Sequence, residues 1–165
     1  MFALIRLMAL AASLYAGTAQ ADDYGVVNQL IRAGKLSEAE AEVERFLAAK
    51  PRDVQMQFIK GSIQRDTGRV AEATATFTRL TEEHPELPEP HNNLAAIYAS
   101  QGQYEKARSE LETAIRTNPS YATAYENLGD VYAALASQAY CKALKLDAGN
   151  VDIKPKLEGI RGRCL

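Results

Sequence analysis

Gly34, Gly68 and Gly102 stand 34 residues apart, as do Ala39, Ala73 and Ala107, and Pro51, Pro85 and Pro119. Three ladders sharing one step restrict the chain to a stacked array, in which each unit buries its apolar face against its neighbours. The residue types on the rungs describe two helices and two turns per step. Glycine accepts the left-handed conformation that ends a first helix, and a small alanine lets a second helix approach closely. Proline cannot continue a helix and stops the second one. The β-branched, alternating runs that mark strands are missing, so the expected class is all-α.

The third step, 88–121, carries the pattern most fully: Leu94, Ala95, Tyr98, Gly102, Tyr104, Ala107, Leu111, Ala114 and Pro119 fill its small and large positions. These residues resemble the tetratricopeptide repeat. The resemblance implies an α-solenoid of about four helix pairs, with units at 22–53, 54–87, 88–121 and 122–147. In the first unit Val26, Val27 and Leu30 are expected to make a short first helix, and Ser37 to cap a second one with Ala39, Val43, Phe46 and Leu47 on its buried stripe. In the second, Phe58, Ile59, Ile63, Ala73, Phe77 and Leu80 are the expected core. Pro85, Pro88 and Pro90 predict an extended, stiff connector, with Pro90 in the first turn of the following helix.

The fourth unit departs from the pattern. Tyr125, Leu128, Gly129 and Tyr132 keep the step, but Ala143 stands where position 148 is expected, five residues early. The missing residues are the turn, and no Gly or Pro punctuates the span from Tyr132 to Asp147. A hairpin cannot close without a loop, so 122–147 is expected as one continuous helix about 39 Å long. Leu128, Tyr132, Leu135, Ala139 and Leu146 would keep an apolar stripe along it. Tyr140 and Leu144 would need cover from the segment Ile153–Ile160 or else from a partner. That segment, with Asp152 as its cap and Pro155 in its first turn, reads as a C-terminal capping helix within 151–162.

Residues 1–21 have the order of a secretory signal peptide. Arg6 precedes an apolar run from Leu7 to Ala16, and small residues at Ala19 and Ala21 come before Asp22-Asp23. The apolar run is too short to span a bilayer, and cleavage after Ala21 is expected. The residue directly after that point is Asp22 and not a Cys, which disfavours a lipid-anchored form. The expected domain is then 22–165, exported to the periplasm or, alternatively, secreted, with no membrane insertion after cleavage. The net charge of −2 offers no footprint for nucleic acid.

Catalytic chemistry finds little to work with. The two histidines, His84 and His91, are too few for a zinc site and read as ordinary turn-region residues. There is no Gly-rich phosphate loop, nucleophile elbow or CxxC motif. The reading is therefore no catalytic residues, no metal, no cofactor and no enzyme activity. The two cysteines, Cys141 and Cys164, both fall in the exported part, where an oxidising compartment favours a bridge stapling the tail to the long helix. Two unrelated thiols are the alternative.

In tetratricopeptide proteins the first helices of successive units line a concave groove that takes a peptide or a helix. Carried over by position, the groove side includes Ser62, Arg65, Asn92, Asn93, Glu126, Asn127 and Asp130, with Glu89, Ala96 and Thr123 beside them. The family's carboxylate clamp is matched only at Asn93. Its basic positions fall on Phe58, Thr123 and Asn127, which argues against that ligand. Acidic neighbours favour a neutral or basic segment. Asn92, Asn93 and Asn127 have a second reading, as caps or bridges between helices. The resemblance implies a protein- or peptide-binding adaptor in the cell envelope. A self-associating structural subunit and an accessory factor for an envelope hydrolase are the alternatives.

Overall fold

A computed structural model of the chain describes residues 23–160, 162 and 164, so the expected leader at 1–21 lies outside the described residues. Among them every regular element is helical. The helices are α1 (23–32), α2 (Leu36–Ala49), α3 (Val54–Asp66), α4 (Val70–Glu83), α5 (Pro88–Ser100), α6 (Tyr104–Thr117), α7 (Ala122–Leu146) and α8 (Ile153–Gly159). The chain divides into two compact units, 1–76 and 77–165, with the division inside α4.

The rungs read from the sequence are also rungs of geometry. Gly34, Gly68 and Gly102 have φ of 72°, 78° and 72°, in the left-handed region that a Cβ disfavours. At each, the amide three residues past the helix reaches back to close the same turn. Lys35 N–H donates to Leu30 O at 2.9 Å, Arg69 to Gln64 O at 2.8 Å, and Gln103 to Tyr98 O at 2.9 Å. The proline rung repeats likewise. The amides of Lys50, His84 and Asn118 each donate at 2.9 Å to the carbonyl four residues back, and the helix stops before Pro51, Pro85 and Pro119.

In the first unit, Val27, Ala39, Val43, Phe46, Met56, Ile59 and Ile63 form a continuous buried cluster, with Tyr24, Leu30, Ile31, Leu36 and Leu47 at its margin. Val26, Val27 and Leu30 lie in α1 as expected, with Val26 on its exposed side. Ser37 is not a cap: α2 already starts at Leu36 with Lys35 at its N-cap, because the glycine turn delivers the chain straight into helix. The working cap is Asp53, whose carboxylate accepts from Met56 N–H at 2.9 Å and also from the Tyr24 hydroxyl.

In the second unit, Ala95, Ala107, Leu111, Ala114, Ala124 and Val131 form the core between α5, α6 and α7. The expected proline connector is shorter than its sequence suggested. Pro88 opens α5 and Pro90 follows within its first turn, where a missing N–H leaves no helical bond unmade. The expected continuous helix is present. The 25 residues of α7 run without reversal through the place where the fourth turn is deleted, over about 37 Å. Its expected stripe is divided, however. Leu128 and Leu135 pack on the core, whereas Tyr132, Ala139 and Leu146 face outward.

Ile153 and Leu157 of α8 are buried, and α8 packs against α7. Asp152 stands at its N-cap, as expected, but makes no side-chain capping bond. Gly162 comes so close to α7 that a Cβ there would stand 2.7 Å from Ser137 Oγ. Cys141 and Cys164 follow at disulfide-bond distance, with Cα atoms 5.4 Å apart.

Candidate binding face on the second unit

The sequence-derived groove residues distribute over both units. Ser62 and Arg65 belong to the first. Ser62 Oγ donates to its own helix at Phe58 O, 3.0 Å, and Arg65 pairs with Asp66 at 2.9 Å. The remaining five belong to the second, on α5 and the first half of α7. Asn92 and Asn93 are nearly buried, at 8% and 7% exposure. Asn127 Nδ2 donates to Asn92 Oδ1 at 2.8 Å and ties α7 to α5, and Asn93 Nδ2 donates to Glu89 O at 2.9 Å. These bonds give Asn92, Asn93 and Asn127 a bridging part in the fold. Glu126 and Asp130 are exposed.

Beside this bridge is a small cleft of about 180 Å³, open in part to solvent. Ala95, Ala96 and Ala99 of α5 form one wall, and Asn127, Asp130 and Val131 of α7 the other. Tyr104 and Leu111 of α6 also line it. Small alanines on α5 make the space, because nothing longer than a methyl fills it from that side. The cleft is apolar within and carries one carboxylate, Asp130, at its edge. Glu89 and Glu126 are exposed on the same two helices, and neither α5 nor residues 122–133 contain a Lys or Arg. The chemistry on offer is a site for an apolar side chain under a negative potential. The same Glu89, together with burial as the larger cause, pushes the Tyr121 hydroxyl upward in pKa.

His91 is not the turn-region histidine that its flanking prolines suggest. It lies inside α5, 8% exposed, with Nδ1 2.7 Å from Glu110 Oε2 on α6. It sits on the rung occupied 34 residues earlier by Gln57, also buried. That coincidence of two large polar residues on one buried rung was the available signal. Among the described residues no group of three His, Cys, Asp or Glu is placed to hold a metal ion, and no helix is long and apolar enough to cross a membrane.

Three family models match the chain: a TPR repeat model over residues 95–135 and two tetratricopeptide repeat models over residues 27–88 and 76–109. Among curated proteins, the TPR repeat-containing thioredoxin TTL4 of Arabidopsis thaliana is 34% identical over 120 residues. The match covers 73% of this chain but only 16% of that protein. A thermophilic TPR protein of Thermus thermophilus superposes with a TM-score of 0.62 at 21% identity, covering 84% of this chain and 97% of that one. The first TPR of Spaghetti (RPAP3), bound to an HSP90 peptide, superposes with a TM-score of 0.50 at 25% identity, covering 67% of this chain and 94% of that one. With the 34-residue rungs and the repeated turn geometry, these matches show that the chain belongs to the tetratricopeptide repeat proteins.

Proposed function

We propose that the protein is a non-catalytic adaptor that holds a neutral or basic segment of another protein on the face shared by α5 and the first half of α7. The observation that carries this reading is the apolar cleft edged by Asp130, on helices whose exposed charges there are all acidic. An apolar side chain of the ligand fills the cleft, and a neighbouring Lys or Arg meets Asp130, Glu126 or Glu89. The peptide-bound relative supports the general mode, a peptide segment held on a tetratricopeptide domain. The chemistry differs here, since the positions that would grip a carboxylate are Phe58, Thr123 and Asn127, none of them basic. We place the adaptor in the cell envelope, on the strength of the signal-like order of residues 1–21.

The test is a set of peptides of one length with an apolar anchor, carrying flanking Lys, Ser or Glu. Titrated by fluorescence anisotropy, the Lys set should bind most tightly and the Glu set least. Asp130→Lys should reverse that order while leaving the helical circular dichroism unchanged. Equal binding of the three sets, or indifference to the Asp130 change, removes the proposal.

A further inference from the structure

Among the described residues no helix covers the outer face of α7, and its residues keep a heptad spacing. Tyr125, Gly129 and Tyr132 are exposed, and the 4–3 alternation continues through Ala136, Ala139, Ala143 and Leu146. These are apolar or small residues at every a and d position over three heptads, the spacing of a helix–helix seam. Of the five large hydrophobic residues exposed in the described chain, three lie on this seam: Tyr125 at 50%, Tyr132 at 49% and Leu146 at 81%.

The earlier rungs show what such a face is for. The residues 34 positions before Tyr125 and Gly129 are His91 and Ala95, 8% and 1% exposed, and Ala95 shares its buried cluster with Ala107 of α6. In the fourth step the second helix never returns, because its turn is deleted and its residues prolong α7. The face built to receive that helix is left open. The segment α8 packs against α7, and the described residues after it meet that helix at Ser137 and Cys141, which are not seam positions.

We infer that this seam is closed by a second copy of the chain, with two α7 helices packed antiparallel about a twofold axis near position 134. In that register Tyr125 faces the partner's Ala143, Tyr132 the partner's Ala136, and Leu146 the partner's Ala122. Each large residue meets a small one, and Gly129 opposite the partner's Ala139 allows the closest approach. The parallel, in-register alternative stacks Tyr on Tyr and Gly on Gly, alternating clashes with voids. Charge separates the two arrangements in the same direction. The charged residues of α7 are Glu126 and Asp130 in its first half and Lys142 and Lys145 in its second. Of these, Glu126 and Lys142 stand next to seam positions, and antiparallel pairing about position 134 brings Glu126 level with the partner's Lys142, whereas parallel pairing sets Glu126 beside Glu126. The partner's helix thereby takes the place of the missing second helix. The seam residues are not those that line the peptide-binding cleft, and Glu126 alone borders both.

The experiment is sedimentation equilibrium of the purified protein over a range of concentrations, with three variants. The wild type should form a dimer. Tyr132→Glu should raise its dissociation constant roughly tenfold or more, the effect of losing a central aromatic contact, with unchanged helical circular dichroism. Ala136→Lys should do the same. Mixing Tyr132→Glu chains with Ala136→Lys chains should restore pairing, since the antiparallel register sets the two altered positions face to face. Glu82→Ala, exposed on α4, serves as the neutral control. A wild type that stays monomeric, or a dimer indifferent to Tyr132→Glu, overturns the inference. A dimer weakened by both changes but not restored by mixing overturns it as well, because the register is then wrong.

Discussion

Tyr24 shows how one side chain ties the start of the array to its next turn. Its hydroxyl donates to Asp53, and the same carboxylate caps α3 through Met56 N–H. The ring packs on Phe46, with centroids 5.5 Å apart. Burial first, and then the bond to Asp53 and its charge, push the Tyr24 hydroxyl up to about 12 from 10.0. The neutral form is therefore favoured by folding. Its stabilisation is complete below pH 10, and it is lost as pH rises from about 10 to about 12. Urea titrations across that range should show stability falling for the wild type and falling less for Tyr24→Phe. Superimposable pH profiles would mean that the contact does not persist in solution. None of this was legible in the sequence, because Tyr24 and Asp53 are 29 residues apart and on no shared rung. The bridge from Asn127 to Asn92 shows the other limit. Its members could be placed on the right helices, but whether an amide faces a ligand or its neighbour depends on how closely two helices meet.

At the scale of elements, legibility followed backbone chemistry. Gly34, Gly68 and Gly102 located three turns because few other residues tolerate a positive φ, and the deleted turn of the fourth step foretold α7 because a hairpin needs residues to reverse. Capping was less legible. Ser37 has the right side chain for a cap, yet the preceding glycine turn had already set the helix start at Leu36. The short α8 carries two glycines nearby and only two buried side chains, Ile153 and Leu157. Its attachment therefore depends on the link from Cys141 to Cys164, 23 residues apart. A bridge closing such a loop contributes about 3 kcal/mol by chain entropy. Cys164→Ser, or reduction, should leave α2–α6 intact while hydrogen exchange in 150–160 becomes faster by one to two orders of magnitude, on the order of that energy. Protein taken from an oxidising compartment that still titrates with two free thiols would contradict the bridge.

For the whole molecule, the family and the helical class were readable because a repeat states its period many times over. Its place of work rests on far fewer residues. Arg6, the apolar run after it, and Ala19 and Ala21 are the entire basis for export. Mass spectrometry of the protein recovered from an envelope fraction should find the chain beginning at or next to Asp22. A product that keeps Met1 would place the adaptor elsewhere and withdraw the reason for expecting a bridged cysteine pair.

The deleted turn also fixes the direction in which this architecture can be lengthened. A 34-residue copy of 88–121 placed after Tyr121 would present the same rungs on both sides and would find its helix pair already accommodated. The same operation performed after Leu146 would meet a helix that has spent its return path on its own length. Viewed as a polymer, the array accepts a further step before α7 but not directly after it, because the five residues that would form the return are missing there.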